Sequence, residues 1–417
     1  MSLSITRIVA AVIIPISLLF SIIDSRATLG TTITAPPSDP NCISYDPSIR
    51  SIKITCKYAH LSDIEHQLKI EDGADIVDKT EDGTWLLNAG LIIEKGAALT
   101  IDSKDTKWLK IIADGKIAYP IQVLGSLKID SVKVTSWNPQ TNDYATSEGN
   151  RELNEKLGRY EVEEGFPRPY IRIEEEATGT TNITNSEIAY LGYEAGLGGG
   201  VTGLTYLGGD NSVLKNNNIH DLYFAFYSNG VGGMVIENNH IHNNGHYGLD
   251  PHTGTHDMLI RNNTVHDNGS TGIICSLNCH NIIIENNTAY NNNDIGIMFS
   301  RNMTNSIARN NIVYNETQGI FISKSHNNEI YNNTVYDTKN AIYLKNMSSN
   351  NLIHDNIIKN PRSSGIQVNT GASANTFYSN TIIIIPSKES KAIVVENETS
   401  KDNIFKDNKV IGISSGQ

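Results

Sequence analysis

The sequence predicts an all-β protein folded as a right-handed parallel β-helix, a solenoid of stacked turns that we call rungs. The first observation is an internal repeat, in which the second asparagine of a polar pair recurs every 22 to 24 residues. The second is that each repeat holds short runs of alternating apolar residues, which is the period of a β-strand. The third is that glycine or asparagine separates these runs, as at tight bends. The asparagine column comprises Asn217, Asn239, Asn263, Asn287, Asn311, Asn333 and Asn356.

Stacking of the rungs follows from the size of the repeat. A unit of about 23 residues with short strands cannot bury its apolar face alone, so neighbouring units must stack on it. Amides of the asparagine column can then bond from rung to rung and satisfy polar groups at a buried bend. Leucine-rich and helical repeats are excluded, because neither an LxxLxL pattern nor a 3.6-residue period is present. A second stacked column is predicted from His220, His242, His266, Tyr290, Tyr314 and Tyr336.

The composition fits an ordered domain and excludes several classes of protein. The 417 residues are 39% hydrophobic and 19% charged, which is too apolar for a disordered chain. Lysine and arginine number 33 against 45 aspartate and glutamate, giving a net charge of −12. We therefore expect no nucleic-acid partner. No glycine-rich phosphate loop lies between a strand and a helix, and GLGGG at 196–200 is interpreted as a loop.

The first 28 residues predict export. Arg7 precedes an apolar run from Ile8 to Ile23, and small and polar residues follow it, as in a secretory signal peptide. The run is shorter than the roughly 20 residues that span a bilayer, although an uncleaved N-terminal anchor is the alternative. We therefore expect a secreted, periplasmic or cell-surface protein without a stable membrane span after cleavage.

The remaining chain divides into a cap and a coil. Residues 29–82 are predicted to form an irregular N-terminal cap that covers an exposed sheet edge, and residues 83–417 form the β-helix. The stretch 138–166 is a polar insertion that leaves the coil. It is interpreted either as partly helical around Arg151–Leu157 or as a disordered loop.

The four cysteines lie in two pairs. Export permits disulfides, and four cysteines allow three connectivities. We favour a bond between Cys42 and Cys56, which would staple the irregular start of the chain. Cys275 and Cys279 match no zinc-ligand spacing and are interpreted as free or locally paired thiols.

One rung departs from the repeat and marks the candidate site. Where other rungs read GIICSL, GIMFSR and GIFISK, residues 248–253 read GLDPHT. Asp250 thus replaces an apolar member of its column, and His252 replaces a serine. Pro251 removes a backbone donor from a strand, and Tyr247 precedes the glycine. Such a local break of the pattern indicates a functional site.

The motif and its surroundings resemble a known enzyme family. The string YGLDPH at 247–252, together with His256, resembles the active-site motif of the mannuronan C5-epimerases of the periplasmic, calcium-independent type. The similarity covers most of 83–380 and includes Arg168-Pro169-Tyr170, NSEIAYLGY at 185–193 and HDLYFAFY at 220–227. It implies a right-handed β-helix that converts β-D-mannuronate to α-L-guluronate within a polymer. By this resemblance His252 matches the catalytic base, and Asp250 and Tyr247 match the other motif residues.

Two positions depart from the family pattern. Thr253 stands where the family usually has another acidic residue after DPH. Leu277 stands where the family places an arginine that neutralises the substrate carboxylate. The following rungs carry Arg301 and Lys324 in the same column. Either Arg301 substitutes from about 10 Å along the coil, or the activity or the substrate has changed.

The chemistry at C5 of a uronate sets its own requirements. Removing the C5 proton needs a base such as His252. The extra negative charge on the carboxylate needs positive groups, for which the candidates are Arg301, Arg261 and Lys324. Tyr247 or a bound water would return a proton from the opposite face, and Asp250 would orient His252 or shape the carboxylate subsite. The adjoining sugar subsite is assigned to Tyr227 and Asn229, and His256 is a further binding candidate.

Two other functions compete with the epimerase. If the C4 oxygen leaves, the same intermediate makes the protein a polysaccharide lyase. The third hypothesis is a non-catalytic surface β-helix that binds glycans or takes part in the maturation of copper sites. A copper role would require clusters of methionine and histidine, whereas the six methionines are scattered. We expect a linear polyuronate as partner, a monomer, and no cofactor. Calcium is possible but is not indicated, because glycine-rich calcium repeats are absent from the sequence.

Overall fold

The computed structural model describes residues 41–70, 76–146, 151–154, 159–162, 166–195, 199–385, 390–396 and 398–412, the two short segments at 151–154 and 159–162 through their backbone. The predicted signal peptide, 1–28, lies outside these residues. Within them, no helix is long and apolar enough to cross a membrane.

All but two of the described strands form three long sheets, and successive rungs contribute one strand to each. Sheet 1 contains Ile43–Asp46, Ser51–Ile54, Gly90–Ile93, Pro120–Val123, Tyr170–Ile173, Gly203–Tyr206, Phe224–Asn229, Leu249–His252, Thr271–Ser276, Ile295–Ser300, Gln318–Ser323, Asn340–Lys345, Ser364–Val368 and Lys391–Val395. Sheet 2 contains Ala59–His60, Ala98–Asp102, Ser126–Asp130, Thr181–Thr184, Val213–Lys215, Val235–Glu237, Leu259–Arg261, Ile283–Glu285, Ile307–Arg309, Glu329–Tyr331, Leu352–His354, Thr376–Tyr378 and Ile404–Lys406. Sheet 3 contains Val77–Lys79, Thr84–Leu87, Trp108–Ile112, Lys133–Trp137, Glu187–Ala189, Asn218–His220, His240–His242, Thr264–His266, Thr288–Tyr290, Ile312–Tyr314, Thr334–Tyr336, Ile357–Lys359, Thr381–Ile384 and Lys409–Gly412.

Parallel pairing begins earlier than the predicted start of the coil at residue 83. Ser51–Ile54 pairs parallel with Gly90–Ile93 in sheet 1, and Ala59–His60 pairs parallel with the next strand of sheet 2. The outermost strands of sheets 1 and 3, Ile43–Asp46 and Val77–Lys79, are antiparallel to their neighbours. The segment predicted as a cap therefore contributes strands to the coil.

A helix, Leu61–Ile70, follows the first strand of sheet 2. Its buried side chains, Leu61, Ile64 and Leu68, recur at the spacing of one helical face. The carboxylate of Asp63 accepts a hydrogen bond from the backbone N–H of His60 at 2.8 Å, which satisfies a donor at the helix start. The helix thus contributes its apolar face to the core next to the first rungs.

The predicted disulfide between Cys42 and Cys56 is confirmed, with a Cα–Cα distance of 4.9 Å. It ties the strand at Ile43–Asp46 to the end of the strand at Ser51–Ile54. Cys275 and Cys279 are free thiols and are buried in the coil.

The helical interpretation of the polar insertion is wrong. Arg151–Asn154 is a strand and pairs antiparallel with Arg159–Val162. The physical reason is that this segment has no apolar stripe to pack on the coil, and short helices depend on such packing. A hairpin instead satisfies the backbone groups of both strands by mutual pairing.

The core of the coil is built from the central residues of the short strands. In sheet 2 the central side chains of successive rungs, Ile260 and Ile284, are fully buried while their strand neighbours are partly exposed. Sheet 3 repeats the pattern with Ile241 and Val265. The alternation of buried and exposed side chains along each strand corresponds to the alternation of apolar and polar residues in the sequence.

The predicted asparagine ladder is confirmed. The Asn263 Nδ2 donates to Oδ1 of Asn287 at 2.9 Å, and Asn287 Nδ2 donates to Oδ1 of Asn311 at 3.1 Å. Oδ1 of Asn287 also accepts the backbone N–H of Asn263, and its Nδ2 also donates to the carbonyl of Ile260. Each buried amide therefore satisfies polar groups on two neighbouring rungs.

Removing one ladder amide is expected to weaken the coil. Asn287→Ala would remove the acceptor of the Asn263 N–H and one of the two acceptors of Asn263 Nδ2 in a buried bend. Since each such loss costs about 1–3 kcal/mol, we expect the free energy of unfolding to fall by at least about 2 kcal/mol. Urea unfolding followed by circular dichroism measures this. Thr288→Ala, in the same rung, is the control, and equal losses in both variants would contradict the ladder account.

The predicted ring column is also confirmed. On sheet 3 the rings of His266 and Tyr290 stack at 4.5 Å, those of Tyr290 and Tyr314 at 4.7 Å, and those of Tyr314 and Tyr336 at 4.8 Å. These spacings equal the distance between adjacent strands. Strict register from rung to rung therefore holds along this part of the coil.

Candidate active site

The rung that departs from the repeat lies in sheet 1. Its strand, Leu249–His252, is paired on one side with Phe224–Asn229 and on the other with Thr271–Ser276. Asp250 is opposite Tyr227, and His252 is opposite Ser276. The column assignments made from the sequence hold at this site.

His252 points away from the core and is held at both ring nitrogens. Its Nδ1 lies 2.5 Å from Oγ1 of Thr253, and its Nε2 lies 3.0 Å from a guanidinium nitrogen of Arg301. The guanidinium can only donate, so Nε2 accepts, and Nδ1 carries the proton that Thr253 receives. The ring of Tyr227 packs against the imidazole at 5.5 Å between centroids. The basic lone pair of His252 is therefore directed toward Arg301.

Arg301 reaches His252 across the intervening rung. Its Nε and a terminal nitrogen lie 2.9 and 2.6 Å from Oγ of Ser276, which fixes the side chain in that direction. Leu277 occupies the same column one rung earlier, since the carbonyls of Ser300 and Arg301 bond the N–H groups of Leu277 and Asn278. The arginine two rungs from His252 thus places its charge beside the imidazole.

The surroundings keep His252 uncharged. Burial and, to a smaller extent, the positive charge of Arg301 together lower the pKa of His252 to about 4. At neutral pH the imidazole is therefore neutral, which is the form that can accept a proton.

Asp250 is buried rather than exposed in a groove. Its side chain is 2% exposed, and one carboxylate oxygen, Oδ1, has no hydrogen-bond partner among the described residues. Burial raises the pKa of Asp250 well above its ordinary value, with Arg301 opposing the shift. Asp250 therefore does not line an open surface. Buried polar groups are normally hydrogen-bonded, so an unsatisfied carboxyl close to His252 indicates a functional rather than a purely structural rung.

The two tyrosines occupy different neighbourhoods. Tyr227 lies against His252, and burial, followed by the charge of Asp250, raises its pKa. Asn229 bonds the Tyr227 side chain and is opposite His252 in the adjacent strand. Tyr247 stacks on His246 at 3.8 Å and packs on Phe224 at 5.0 Å. Tyr227, assigned from the sequence to an adjoining subsite, is the phenol in contact with the imidazole.

Other predicted residues lie elsewhere. The structure does not bring Arg261 to His252: it ends a strand of sheet 2, and its Nε lies 2.9 Å from the carboxylate of Glu237. Arg261 is the last residue of a sheet 2 strand, so the register of the coil keeps it away from sheet 1.

The remaining two candidates lie outside the contacts of His252. His256 bonds Asp257 through Nδ1 at 2.8 Å and stacks on His280. Lys324 is exposed, one rung beyond Arg301 in the same turn column.

An open cavity continues from Arg301 along the coil. Its volume is about 470 Å³, and its lining includes Leu277, Arg301, Lys324, His326 and Met347. Two cations thus face one concave surface on the side of the coil that carries His252.

Two site residues escaped the sequence analysis. Thr253 departs from the family pattern, yet its hydroxyl receives the Nδ1 proton of His252. Ser276 is an ordinary member of the His252 column in the sequence, yet its hydroxyl holds the Arg301 guanidinium. The repeat could have indicated Ser276, because this residue lies in the rung between the rung of His252 and the rung of Arg301.

Metal-ligand groups also converge in the N-terminal rungs. Among the described residues, atoms of His60, Asp102 and Asp105 lie within 4.8 Å of one another. They belong to sheet 2 and the turn after it, apart from the rung of His252.

The family model "Right handed beta helix region" matches residues 171–316 and 253–410. The chain belongs to this right-handed β-helix family. The predicted fold class is thereby confirmed, including its handedness.

Named relatives extend the comparison. Over 191 residues, 43% of this β-helix chain is 28% identical to a mannuronan C5-epimerase of Pseudomonas fluorescens. Over 216 residues, 50% of it is 25% identical to a mannuronan C5-epimerase of Pseudomonas aeruginosa. The chain spans only 32% and 36% of the length of these two relatives. The resemblance to that family, inferred from the motif, is confirmed by these matches.

A solved structure shows how far the fold is shared. The crystal structure of the periplasmic alginate epimerase AlgG superposes with a TM-score of 0.69 at 19% identity, covering 87% of this chain and 85% of that one. The two proteins therefore share their fold over most of their length.

Proposed function

We propose that this protein is a polymer-level C5-epimerase that converts β-D-mannuronate to α-L-guluronate in an alginate-like polyuronate. One observation carries the proposal: a neutral imidazole, that of His252, lies in contact with the guanidinium of Arg301 on sheet 1. A base and a carboxylate-binding cation are the two groups that proton removal next to a carboxylate requires. The similarity to two mannuronan C5-epimerases supports the same reaction.

In this proposal the substrate carboxylate changes the partner of Arg301. The guanidinium binds His252 and Ser276 in the free protein. A uronate carboxylate is a stronger partner for arginine than a neutral imidazole, because the hydrogen bond is charge-assisted on both sides. Its binding draws the guanidinium from Nε2 and exposes the lone pair of His252 to the C5 proton. The same contact stabilises the extra negative charge that forms on the carboxylate.

The second half of the reaction returns a proton to the opposite face of C5. The proposed donor is the phenol of Tyr247 or a bound water. The raised pKa of Tyr227 keeps the phenol beside the imidazole protonated, so it acts as a hydrogen-bond donor in the subsite. Burial raises the pKa of Asp250 and so favours its uncharged form, which repels the substrate carboxylate less than a charged carboxylate would.

A linear polymer fits the side of the coil that follows Arg301. Rungs repeat about every 4.8 Å, which suits a chain of sugars laid along the axis. Lys324 continues the charge of Arg301, and the Lys345 ammonium lies 5.1 Å from the Phe321 ring centre. The partly exposed ring of Tyr343, which packs on the buried Phe321 at 5.3 Å, offers an apolar surface for sugar rings beside these cations. We assign the polyuronate to this cationic and aromatic strip.

The proposal includes a location. A similar fold belongs to a periplasmic alginate epimerase. The predicted signal peptide, 1–28, and the disulfide between Cys42 and Cys56 agree with an exported protein. We infer a secreted, periplasmic or cell-surface monomer.

Product analysis separates the epimerase from a lyase. The purified protein is incubated with polymannuronate, and the products are read by proton NMR. New guluronate signals without loss of chain length are expected. Unsaturated chain ends would instead mean that the C4 oxygen leaves and that the protein is a lyase. Unchanged polymer would contradict both assignments on this substrate.

The pH dependence follows from the environment of His252. Because its pKa is lowered to about 4, the imidazole stays neutral as the pH falls through 6, where an ordinary histidine becomes charged. We expect kcat/KM to stay level from pH 7 to about 5 and to decline as the pH falls through about 4. Initial rates of guluronate formation across this range test it. An acid limb centred near 6.5 would show that His252 is not shielded as described.

A further inference from the structure

A cluster of histidines lies on sheet 3, which is a different sheet from that of His252. His220, His242 and His266 stack from rung to rung in the ring column, at 5.0 and 5.2 Å. His240 stands two residues before His242 on the same strand and packs against both His242 and His266. The neighbouring rungs carry tyrosines in this column, so imidazoles are concentrated in one short stretch of the coil.

Two of these rings face each other through the same kind of atom. The Nε2 of His240 lies 2.7 Å from the Nε2 of His266. The approach is diagonal across two strands, because His240 pairs with Thr264, two residues before His266. Two imidazole nitrogens at this distance must share one proton or one metal ion. If both carried a lone pair, or both carried a proton, the two nitrogens would repel each other.

The far side of His266 is fixed by a carboxylate. Its Nδ1 lies 2.6 Å from Oδ2 of Asp267, so Nδ1 carries the proton and Nε2 presents a lone pair toward His240. A carboxylate behind a histidine is the arrangement that orients metal-binding imidazoles and increases their basicity. His242 differs, because its Nε2 bonds Oδ1 of Asn218 at 3.0 Å.

Solvent reaches this pair of imidazoles through His240. The His240 residue is exposed, so an ion can approach its Nε2 from outside the coil.

We propose that His240 and His266 form a two-imidazole binding site for a divalent transition-metal ion such as Zn²⁺, Cu²⁺ or Ni²⁺, with water completing the coordination. Imidazole ligands suit these metals rather than magnesium or calcium. Bonds of about 2.0 Å in tetrahedral geometry would place the two nitrogens about 3.3 Å apart. The exposed ring of His240 can make that small displacement. This site lies on sheet 3 and is independent of the proposed epimerase site on sheet 1.

Metal titration tests the site in the whole protein. Zn²⁺ is titrated by calorimetry into the wild type, His240→Gln, Asp267→Asn and His256→Gln. We expect His240→Gln to weaken binding at least about 10-fold and Asp267→Asn to weaken it about 10-fold. His256→Gln removes another histidine bonded to an aspartate and is expected to bind as the wild type does. Circular dichroism checks that each variant is folded.

Spectroscopy identifies the ligands. With Cu²⁺ as the probe, electron paramagnetic resonance of the wild type is expected to show coupling to two imidazole nitrogens. His240→Gln should show one or none. Absence of Zn²⁺ binding by the wild type, or equal affinity in the wild type and His240→Gln, would overturn the proposal. In the second case an ion would be binding elsewhere, such as at His60, Asp102 and Asp105.

Discussion

His252→Gln is expected to lower the rate of guluronate formation by about 10²–10⁴-fold, the range that a general base contributes. Glutamine keeps a polar group near Thr253 and Arg301 but cannot accept the C5 proton. The loss should appear in kcat, with KM changed little, because the polymer contacts that we assign to Lys324 and Lys345 are unaffected. Steady-state rates on polymannuronate measure both constants.

A matched control separates chemistry from folding. His280→Gln changes a histidine in the next rung that stacks on His256 rather than contacting Arg301. We expect it to retain wild-type activity. Similar losses in the two variants, or an active His252→Gln enzyme, would remove His252 from the role of base.

Arg301→Gln is expected to have the second-largest effect. Loss of a donor that stabilises developing charge typically costs about 10²–10³-fold in rate. Because Arg301 lowers the pKa of His252, its removal should also raise that pKa and move the acid limb of kcat/KM to higher pH. A residue that only supported the fold would not produce this shift. Arg301→Lys should recover part of the rate, since it keeps the charge but loses the fork that joins Ser276 to His252.

The control for Arg301 lies on another sheet. Arg309 ends a strand of sheet 2, and its Nε lies 2.7 Å from the carboxylate of Glu285. Arg309→Gln should leave the rate and the pH profile unchanged. An unshifted acid limb in Arg301→Gln would contradict the proposed coupling between guanidinium and imidazole.

The coil could be predicted from the sequence because each structural rule repeats many times. The column of Asn263, Asn287 and Asn311 fixed the register, and one register places every other column. The insertion at 138–166 could not be predicted in this way, because its hairpin occurs only once in the described residues. The two strands of the hairpin pair with each other and with no other described strand. Its charged residues match neither helix nor strand periodicity.

In the candidate site, too, the repeat predicts some features and not others. The positions of Asp250, His252 and Ser276 follow from the repeat, because backbone register determines them. The direction of a long side chain does not follow from register. Arg301 and Arg261 were both candidates by charge, but Ser276 directs one toward His252 and Glu237 binds the other on sheet 2. The burial of Asp250, by contrast, follows from its column, because Ile274 at the same position of the next rung is also buried.

Hydrogen exchange at C5 is the most direct test of the central claim. Wild-type protein and His252→Gln are incubated with polymannuronate in deuterated water, and the polymer is examined by NMR. The account predicts that the wild type introduces deuterium at C5 of newly formed guluronate and that His252→Gln introduces almost none. Guluronate formed without deuterium at C5, or equal incorporation by both proteins, would contradict proton abstraction by His252.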